Sequence, residues 1–141
     1  MLKRAMVILT SLAAVTGGAI VAAPSASAAG FGCPGSQIDV YPVTDANKGL
    51  VLSNIFLYYD ASTGKNCASN VRTSAGGTGT AAKISISIWA DGGSAVTDSG
   101  NYSQYAGPVS VYAAGKCINV KATTYASGGR YGLVQRNGHC G

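Results

Sequence analysis

Short strand-like segments separated by turn-forming residues are the feature of this sequence that most constrains its fold. Runs rich in Val, Ile, Thr and Tyr alternate with clusters of Gly, Ser, Asn and Asp, at intervals of roughly eight to twelve residues. No amphipathic helical period follows residue 28. The pattern therefore predicts an all-β chain, folded as a small antiparallel β-sandwich or barrel.

The segment 83–90 is the clearest predicted strand. Three isoleucines occupy alternate positions, and two serines and Trp89 occupy the positions between them. Because successive side chains of a strand point to opposite faces, the isoleucines should face the core and Trp89 should lie on the polar face. We also expect a hairpin formed by 50–59 and 67–73, turns over 91–100 and a strand over 101–106.

The first 28 residues have the pattern of a secretory signal peptide. Lys3 and Arg4 precede an apolar stretch over 5–15, and small residues end the segment at Ala26-Ser27-Ala28. The apolar stretch is too short for a transmembrane helix, and no later segment reaches the roughly 18 uncharged apolar residues that a span requires. We therefore expect a secreted, extracellular protein with no membrane segment after cleavage.

The expected domain organisation follows from that signal. Residues 1–28 form a helical signal peptide, 29–35 form a flexible leader of small residues, and 36–141 form a single β-rich domain. A domain of this length holds one compact core.

Four cysteines all lie after the predicted signal, at Cys33, Cys67, Cys117 and Cys140. An even number of cysteines in an exported chain predicts two disulfides. Three pairings are open, and we favour Cys33 with Cys67 and Cys117 with Cys140, because each would join a terminal strand to its sequence neighbour. The chain contains no Cys-x-x-Cys pair, so we expect no metal site.

The charge pattern excludes one class of partner. The chain has ten basic and five acidic residues, and loss of Lys3 and Arg4 with the signal lowers its formal net charge from +5 to +3. The remaining basic residues are scattered along the sequence, whereas a nucleic-acid surface clusters them on one element. We expect no nucleic-acid binding, although a weak positive field favours adhesion to anionic cell-wall polymers.

The sequence contains no motif for catalysis. Its one histidine is His139, and no Gly-x-Ser-x-Gly segment is present. Asp60, Asp91 and Asp98 border turns, where aspartate is favoured for local backbone hydrogen bonding. We therefore predict no catalytic residues, no cofactor and no enzymatic activity.

Aromatic side chains are the best candidates for ligand contact. The chain has eight tyrosines and one tryptophan, and such rings stack on sugars or anchor interfaces when they are exposed. Trp89 is the first choice because it falls on the polar face of its strand. Tyr102 and Tyr105 are the companions that we predict for it.

Three segments of the sequence resemble one known family. They are Phe-Leu-Tyr-Tyr-Asp-Ala-Ser-Thr-Gly-Lys-Asn-Cys from position 56, Asn-Tyr-Ser-Gln-Tyr-Ala-Gly-Pro-Val-Ser-Val from position 101, and Asn-Gly-His-Cys-Gly from position 137. With the leader and the four cysteines, they are similar to the spore-associated protein A family of filamentous actinomycetes. The resemblance implies a small secreted protein found with aerial hyphae and spores, and it carries no catalytic residues.

The sequence is compatible with three functions. The first is a non-enzymatic protein on the spore or aerial-hypha surface, in contact with cell-wall or spore-surface polymers. The second is a carbohydrate or cell-wall binding module that uses exposed Trp and Tyr side chains. The third is a secreted inhibitor or antibacterial protein, which rests only on small size and disulfide content.

Overall fold

The computed structural model describes residues 30–141, which form two packed antiparallel β-sheets. The eight strands are β1 Ser36–Thr44, β2 Val51–Asp60, β3 Lys65–Arg72, β4 Ala82–Ala90, β5 Val96–Tyr102, β6 Tyr105–Tyr112, β7 Ile118–Ala126 and β8 Arg130–Gly138. The first sheet has the order β1-β2-β3-β6 and the second has the order β5-β4-β7-β8. A short 3₁₀ turn at Ser127–Gly129 connects β7 to β8. The predicted all-β fold is confirmed.

The structure is a sandwich with nearly joined edges. Between the sheets, β1 lies beside β8, and β6 lies beside β5. Only local hydrogen bonds cross these seams, such as the bridge between Asp45 and Gly132 and the bond from the Gly107 N–H to the Asp98 carboxylate. The strands therefore form two sheets rather than one continuous barrel.

The core lies between the inner faces of the two sheets. The three isoleucines of β4 are completely buried, as their alternation predicts. They pack against buried aliphatic side chains of both sheets, which include Val43, Ile55, Leu57, Val109, Val120 and Val134. Burial of this apolar surface is the main stabilising term of the fold.

Two of the predicted local structures differ in the region after β4. The segment expected to be turns contains β5, and the strand expected over 101–106 is divided by the β5–β6 connection at Ser103 and Gln104. The sequence of β5, Val-Thr-Asp-Ser-Gly-Asn-Tyr, has little intrinsic strand preference. Pairing with β4 along seven positions supplies the hydrogen bonds that make it a strand.

The expectation of a flexible leader over 29–35 is corrected for the residues that the structure describes. Gly30 to Gly35 lies against the outer face of the first sheet, where Cys33 is completely buried and bonded to Cys67 in β3. The Phe31 ring packs on Phe56 at a centroid distance of 5.0 Å. The segment therefore covers apolar surface that the sheet would otherwise expose. The predicted helical signal over 1–28 lies outside the described residues.

Both disulfides are present in the pairing that we favoured. Cys33 is bonded to Cys67, and Cys117 is bonded to Cys140. The second bond ties the residue before β7 to the segment after β8, at one end of the second sheet. Within residues 30–141, no helix is long and apolar enough to cross a membrane.

A buried arginine holds together one end of the sandwich. Arg72, at the end of β3, is only 4% exposed, and its guanidinium donates to five backbone carbonyls. These carbonyls belong to Gly76, Ala82, Lys83, Tyr102 and Tyr125. These acceptors lie in the loop after β3 and in three strands of the second sheet, so one side chain of the first sheet fixes several chain segments.

Candidate functional site

The outer face of the second sheet is a polar surface built from four neighbouring strands, and we name it the open face. No other described element lies over it, whereas Gly30 to Gly35 lies over the outer face of the first sheet. It is built from residues that alternate with the buried core positions of four strands: Lys83, Ser85, Ser87 and Trp89 of β4; Thr97, Ser99 and Asn101 of β5; Asn119, Lys121, Thr123 and Tyr125 of β7; and Tyr131, Leu133, Gln135 and Asn137 of β8.

Strand register arranges these side chains in rows across the sheet. Trp89 lies opposite Asn119, which lies opposite Asn137. Six residues further along the strands, Tyr125 lies opposite Tyr131. Since each strand residue advances by roughly 3.3 Å, the two aromatic positions lie roughly 20 Å apart. The open face is therefore an extended surface with aromatic rings towards both ends.

The Trp89 end of the open face combines a ring with fixed polar groups. Trp89 is half-buried beside a shallow depression of about 300 Å³ that is also lined by Ser87 and Lys121. The side-chain amides of Asn119 and Asn137 both donate to Oδ1 of Asp91, over 2.6 and 3.1 Å. These three polar residues hold one another in place, so their remaining donors and acceptors have defined directions.

The opposite end is formed by a tyrosine pair. The rings of Tyr125 and Tyr131 have centroids 4.7 Å apart, and the Nζ atom of Lys83 lies 5.8 Å from the Tyr125 ring centre. Ring packing stabilises the tyrosine pair, and the Lys83 cation is attracted to the face of the Tyr125 ring. Leu133 extends this apolar area and is 48% exposed.

Hydroxyl groups occupy the centre of the open face. Ser85 is hydrogen bonded to Thr123, and the Ser87 and Thr97 hydroxyl oxygens lie 2.8 Å apart. Each hydroxyl has one donor and two acceptor sites, so these pairs keep capacity for a further partner. The described face thus offers hydroxyls, amides and two lysines, and its nearest carboxylate, Asp91, is held by two asparagines.

The structure separates the three aromatic residues that the sequence suggested as a group. Trp89 lies on the open face. Tyr102 points inward at the seam between β5 and β6, where its hydroxyl donates to Oδ1 of Asp98 over 2.7 Å. This hydrogen bond raises the pKa of Tyr102. Tyr105 lies on the outer face of the first sheet, in edge contact with Phe31.

Tyr125 and Tyr131, the residues that share the open face with Trp89, were missed by sequence reasoning. Their strands can be recognised from the sequence, but only the pairing of β4 with β7 and of β7 with β8 shows that they lie on the face of Trp89. The alternation within each strand could have indicated this, because Tyr125 is two residues from Thr123 and Tyr131 is two residues from Leu133, so each pair shares one face.

All five aspartates are engaged with described protein groups. The donors are the N–H groups of Val40, Lys48, Tyr131 and Gly107, the side chains of Ser62, Thr63, Asn119, Asn137 and Tyr102, and the His139 ring. At Asp60, hydrogen bonds from Ser62 hold the pKa of the carboxyl below its usual range. Within residues 30–141, no three His, Cys, Asp or Glu side chains are grouped as a metal site would require.

The fold and the open face together define a class of protein. The chain is a small disulfide-bonded β-sandwich whose second sheet presents a polar face with aromatic ends. No model of a known protein family matches the chain, and no solved structure matches it. The sequence is 33% identical over 131 residues to spore-associated protein A of Streptomyces coelicolor, covering 84% of this chain and 83% of that protein. The chain therefore belongs to the spore-associated protein A family, as its sequence motifs indicated.

Proposed function

We propose that this protein is a secreted, non-enzymatic component of the spore or aerial-hypha surface, and that its open face binds a hydroxyl-rich polymer of the cell wall or spore coat. The name of the Streptomyces coelicolor relative supports the spore association. The N-terminal signal pattern supports secretion.

The observation that carries the proposal is the composition of the open face. Trp89 and the pair of Tyr125 and Tyr131 offer flat apolar surfaces, which suit the C–H faces of pyranose rings. The hydroxyls and amides between them match the hydrogen-bonding groups of a polysaccharide. Lys83 and Lys121 add positive charge, which favours a polymer with anionic substituents.

The state of the carboxylates supports a role without catalysis. A general acid or base must lie within hydrogen-bond reach of the reacting group of a substrate. Each of the five aspartates is instead hydrogen bonded within the protein, and His139 is paired with Asp39. These groups support strands, turns and seams, which leaves the open face as a binding surface.

A co-sedimentation experiment tests binding at the open face. Purified protein is mixed with spores, hyphal walls or isolated peptidoglycan, and the bound fraction is measured. We expect Trp89→Ala and Tyr125→Ser each to reduce binding by about two- to tenfold, since a packed aromatic contact is worth about 0.5 to 1.5 kcal/mol. Circular dichroism establishes that the variants are folded.

A charge-matched pair of variants provides the control. Lys121→Ala removes a positive charge from the open face, and Lys65→Ala removes one from β3 of the first sheet. Lys121→Ala should weaken binding and reduce its dependence on salt, while Lys65→Ala should bind like the wild type. Equal effects of both substitutions, with no effect of Trp89→Ala, would contradict a specific open-face site.

Secretion is tested by the mass of the exported protein. We expect the protein recovered outside the cell to begin at Ala29, because cleavage follows Ala28. A protein that keeps residues 1–28, or that is found only inside the cell, would disprove this part of the proposal.

A further inference from the structure

A cleft lies at one end of the sandwich, lined by residues that are not part of the open face. We infer that the cleft between the β2–β3 hairpin and the chain segment after β8 binds a single uncharged sugar residue. This inference does not depend on the open face, because it rests on different residues and on an unpartnered amide. We name this feature the end cleft.

The end cleft has the size and lining of a small-ligand site. Its volume is about 420 Å³, within the roughly 300 to 1,000 Å³ of known ligand pockets. It is lined by residues of four chain segments: Ile38, Tyr59, Gly64, Asn66, Tyr112, Ala113, Ala114, His139, Cys140 and Gly141. Tyr59 is 42% exposed and Tyr112 is 61% exposed, so both rings are accessible to a ligand.

The Tyr112 ring is held in place by the β2–β3 turn. A Cβ atom built on Gly64 would lie 2.8 Å from a ring carbon of Tyr112, so the ring rests directly on the backbone of this glycine. The turn itself is fixed by the Gly64 N–H, which donates to the Asp60 carbonyl over 2.8 Å. The wall of the end cleft is therefore rigid on this side.

Asn66 is the residue that points to a ligand. Its side chain lies on the inner side of β3 and lines the end cleft. The residue is 6% exposed. The other buried polar side chains of β3, Ser69, Asn70 and Arg72, each donate hydrogen bonds to described protein groups. The Asn66 amide has no such partner among residues 30–141. Its polar atoms are open to the end cleft, because Oδ1 of Asn70 is the one enclosed side-chain polar atom of residues 30–141 that lacks a partner.

The chemistry of this amide suits a sugar. Its Nδ2 donates and its Oδ1 accepts, so adjacent hydroxyls of a pyranose satisfy both atoms at once. The rings of Tyr59 and Tyr112 and the side chains of Ile38 and Ala113 supply apolar contacts for the C–H edges of the same ring. The histidine of the lining, His139, is already paired with the Asp39 carboxylate. An uncharged, hydroxyl-bearing ligand therefore fits better than an anion or a cation.

The two sites are of different kinds. The open face is extended and shallow, which suits a chain of sugars, whereas the end cleft encloses one unit. The end cleft thus recognises a terminal or free saccharide.

Nuclear magnetic resonance titration with methyl glucoside and with N-acetylglucosamine tests the inference. We expect saturable shifts of the Asn66 side-chain amide and of residues 112–114 in the wild-type protein. Asn66→Leu should weaken sugar binding at least about tenfold. It should change the free energy of unfolding by less than about 0.5 kcal/mol, because the amide that it removes makes no hydrogen bond within residues 30–141.

The opposite result separates a structural role from a binding role. If Asn66→Leu destabilises the fold while the sugars cause no shifts in the end cleft, the amide is structural and the inference is wrong. Trp89→Ala serves as the matched control, since it should keep the sugar-induced shifts of the end cleft. Loss of those shifts in Trp89→Ala would show that the sugars bind at the open face instead. Failure of wall binding with intact sugar binding would disprove only the proposed function.

Discussion

The Oδ2 atom of Asp39 lies 3.0 Å from the Nε2 atom of His139, although the two residues are 100 positions apart in the chain. Asp39 belongs to β1 of the first sheet, and His139 directly follows β8 of the second sheet. The Tyr41 hydroxyl lies 3.3 Å from the same Nε2 atom. The three side chains therefore connect the two sheets across one seam, close to the disulfide at Cys140.

Tyr41 predicts a loss of stability at high pH. Burial, and then the nearby Asp39 carboxylate, raises the pKa of Tyr41 from 10.0 to about 12. Between these two values the unfolded chain loses the phenolic proton while the folded protein keeps it. The free energy of unfolding should therefore fall as the pH rises from about 10 to about 12. Denaturant titrations should show a smaller fall in Tyr41→Phe, whereas Tyr112→Phe should follow the wild type.

We predict that Asp39 contributes to a loss of stability at low pH. The Tyr41 hydroxyl, with further hydrogen bonds from His139 and Val40, holds the pKa of Asp39 below its ordinary value of 3.8. Its contribution to stability is present above that value and is lost as the pH falls through the lower pKa of the folded state. Asp39→Asn should remove this part of the acid dependence in equilibrium unfolding. An identical acid dependence in the variant and the wild type would contradict the assignment.

Arg72 predicts a large effect of a single buried side chain. Arg72→Met retains the approximate length of the side chain but leaves five carbonyl acceptors without their donor. We expect a loss of about 3 kcal/mol or more in the free energy of unfolding, measured in guanidinium chloride. Arg136→Met removes the same charge from an exposed position and should change stability by less than about 0.5 kcal/mol. Similar losses in the two variants would mean that net charge, rather than the buried hydrogen bonds, decides the result.

The Cys33–Cys67 bond predicts a loss of both stability and local order. It closes a loop with a sequence separation of 34. Replacing both cysteines by alanine should lower the free energy of unfolding by about 4 kcal/mol in the chain-entropy model. Residues 30–35 should then leave the outer face of the first sheet, and hydrogen exchange should become faster there. Unchanged exchange would show that the Phe31 contacts hold this segment without the disulfide.

We predict that replacement by alanine lowers the free energy of unfolding by different amounts at Gly76 and at Gly77. A Cβ on Gly76 would lie 1.7 Å from the carbonyl oxygen of Leu52, so Gly76→Ala requires backbone movement. A Cβ on Gly77 meets nothing within 4 Å, but its φ of +81° is unfavourable for alanine. We expect a loss of about 1 kcal/mol for Gly77→Ala and a loss of several times that for Gly76→Ala. Thermal unfolding measures both, and a larger loss at Gly77 would contradict the packing of this loop.

The sequence reached much of the fold because strand patterns and disulfides are encoded locally. The alternation in β4 identified its buried face, and the turn from Asp60 to Gly64 identified the β2–β3 hairpin. It did not identify β5, whose strand state depends on pairing with β4, or the packed state of Gly30 to Gly35, which depends on surface far away in the chain.

The candidate sites were predictable only in part. The face of Trp89 was predicted correctly, because alternation within one strand is enough to assign it. Tyr102 and Tyr105 do not share that face, since they occupy strand positions on other faces of the molecule. Asn66 drew no attention, because an asparagine beside a cysteine in a turn-like segment carries no local sign of burial.

The sequence by itself determined the class of fold, the export signal pattern, the cysteine framework and the family. These depend on composition, local periodicity and short motifs, which act over a few residues. Only the tertiary structure decided which aromatic residues share a surface, which carboxylates are engaged, and which asparagine amide opens into the end cleft. Each of these depends on strand order and register between distant segments, and a shift of one residue in register would move every side chain to the opposite face.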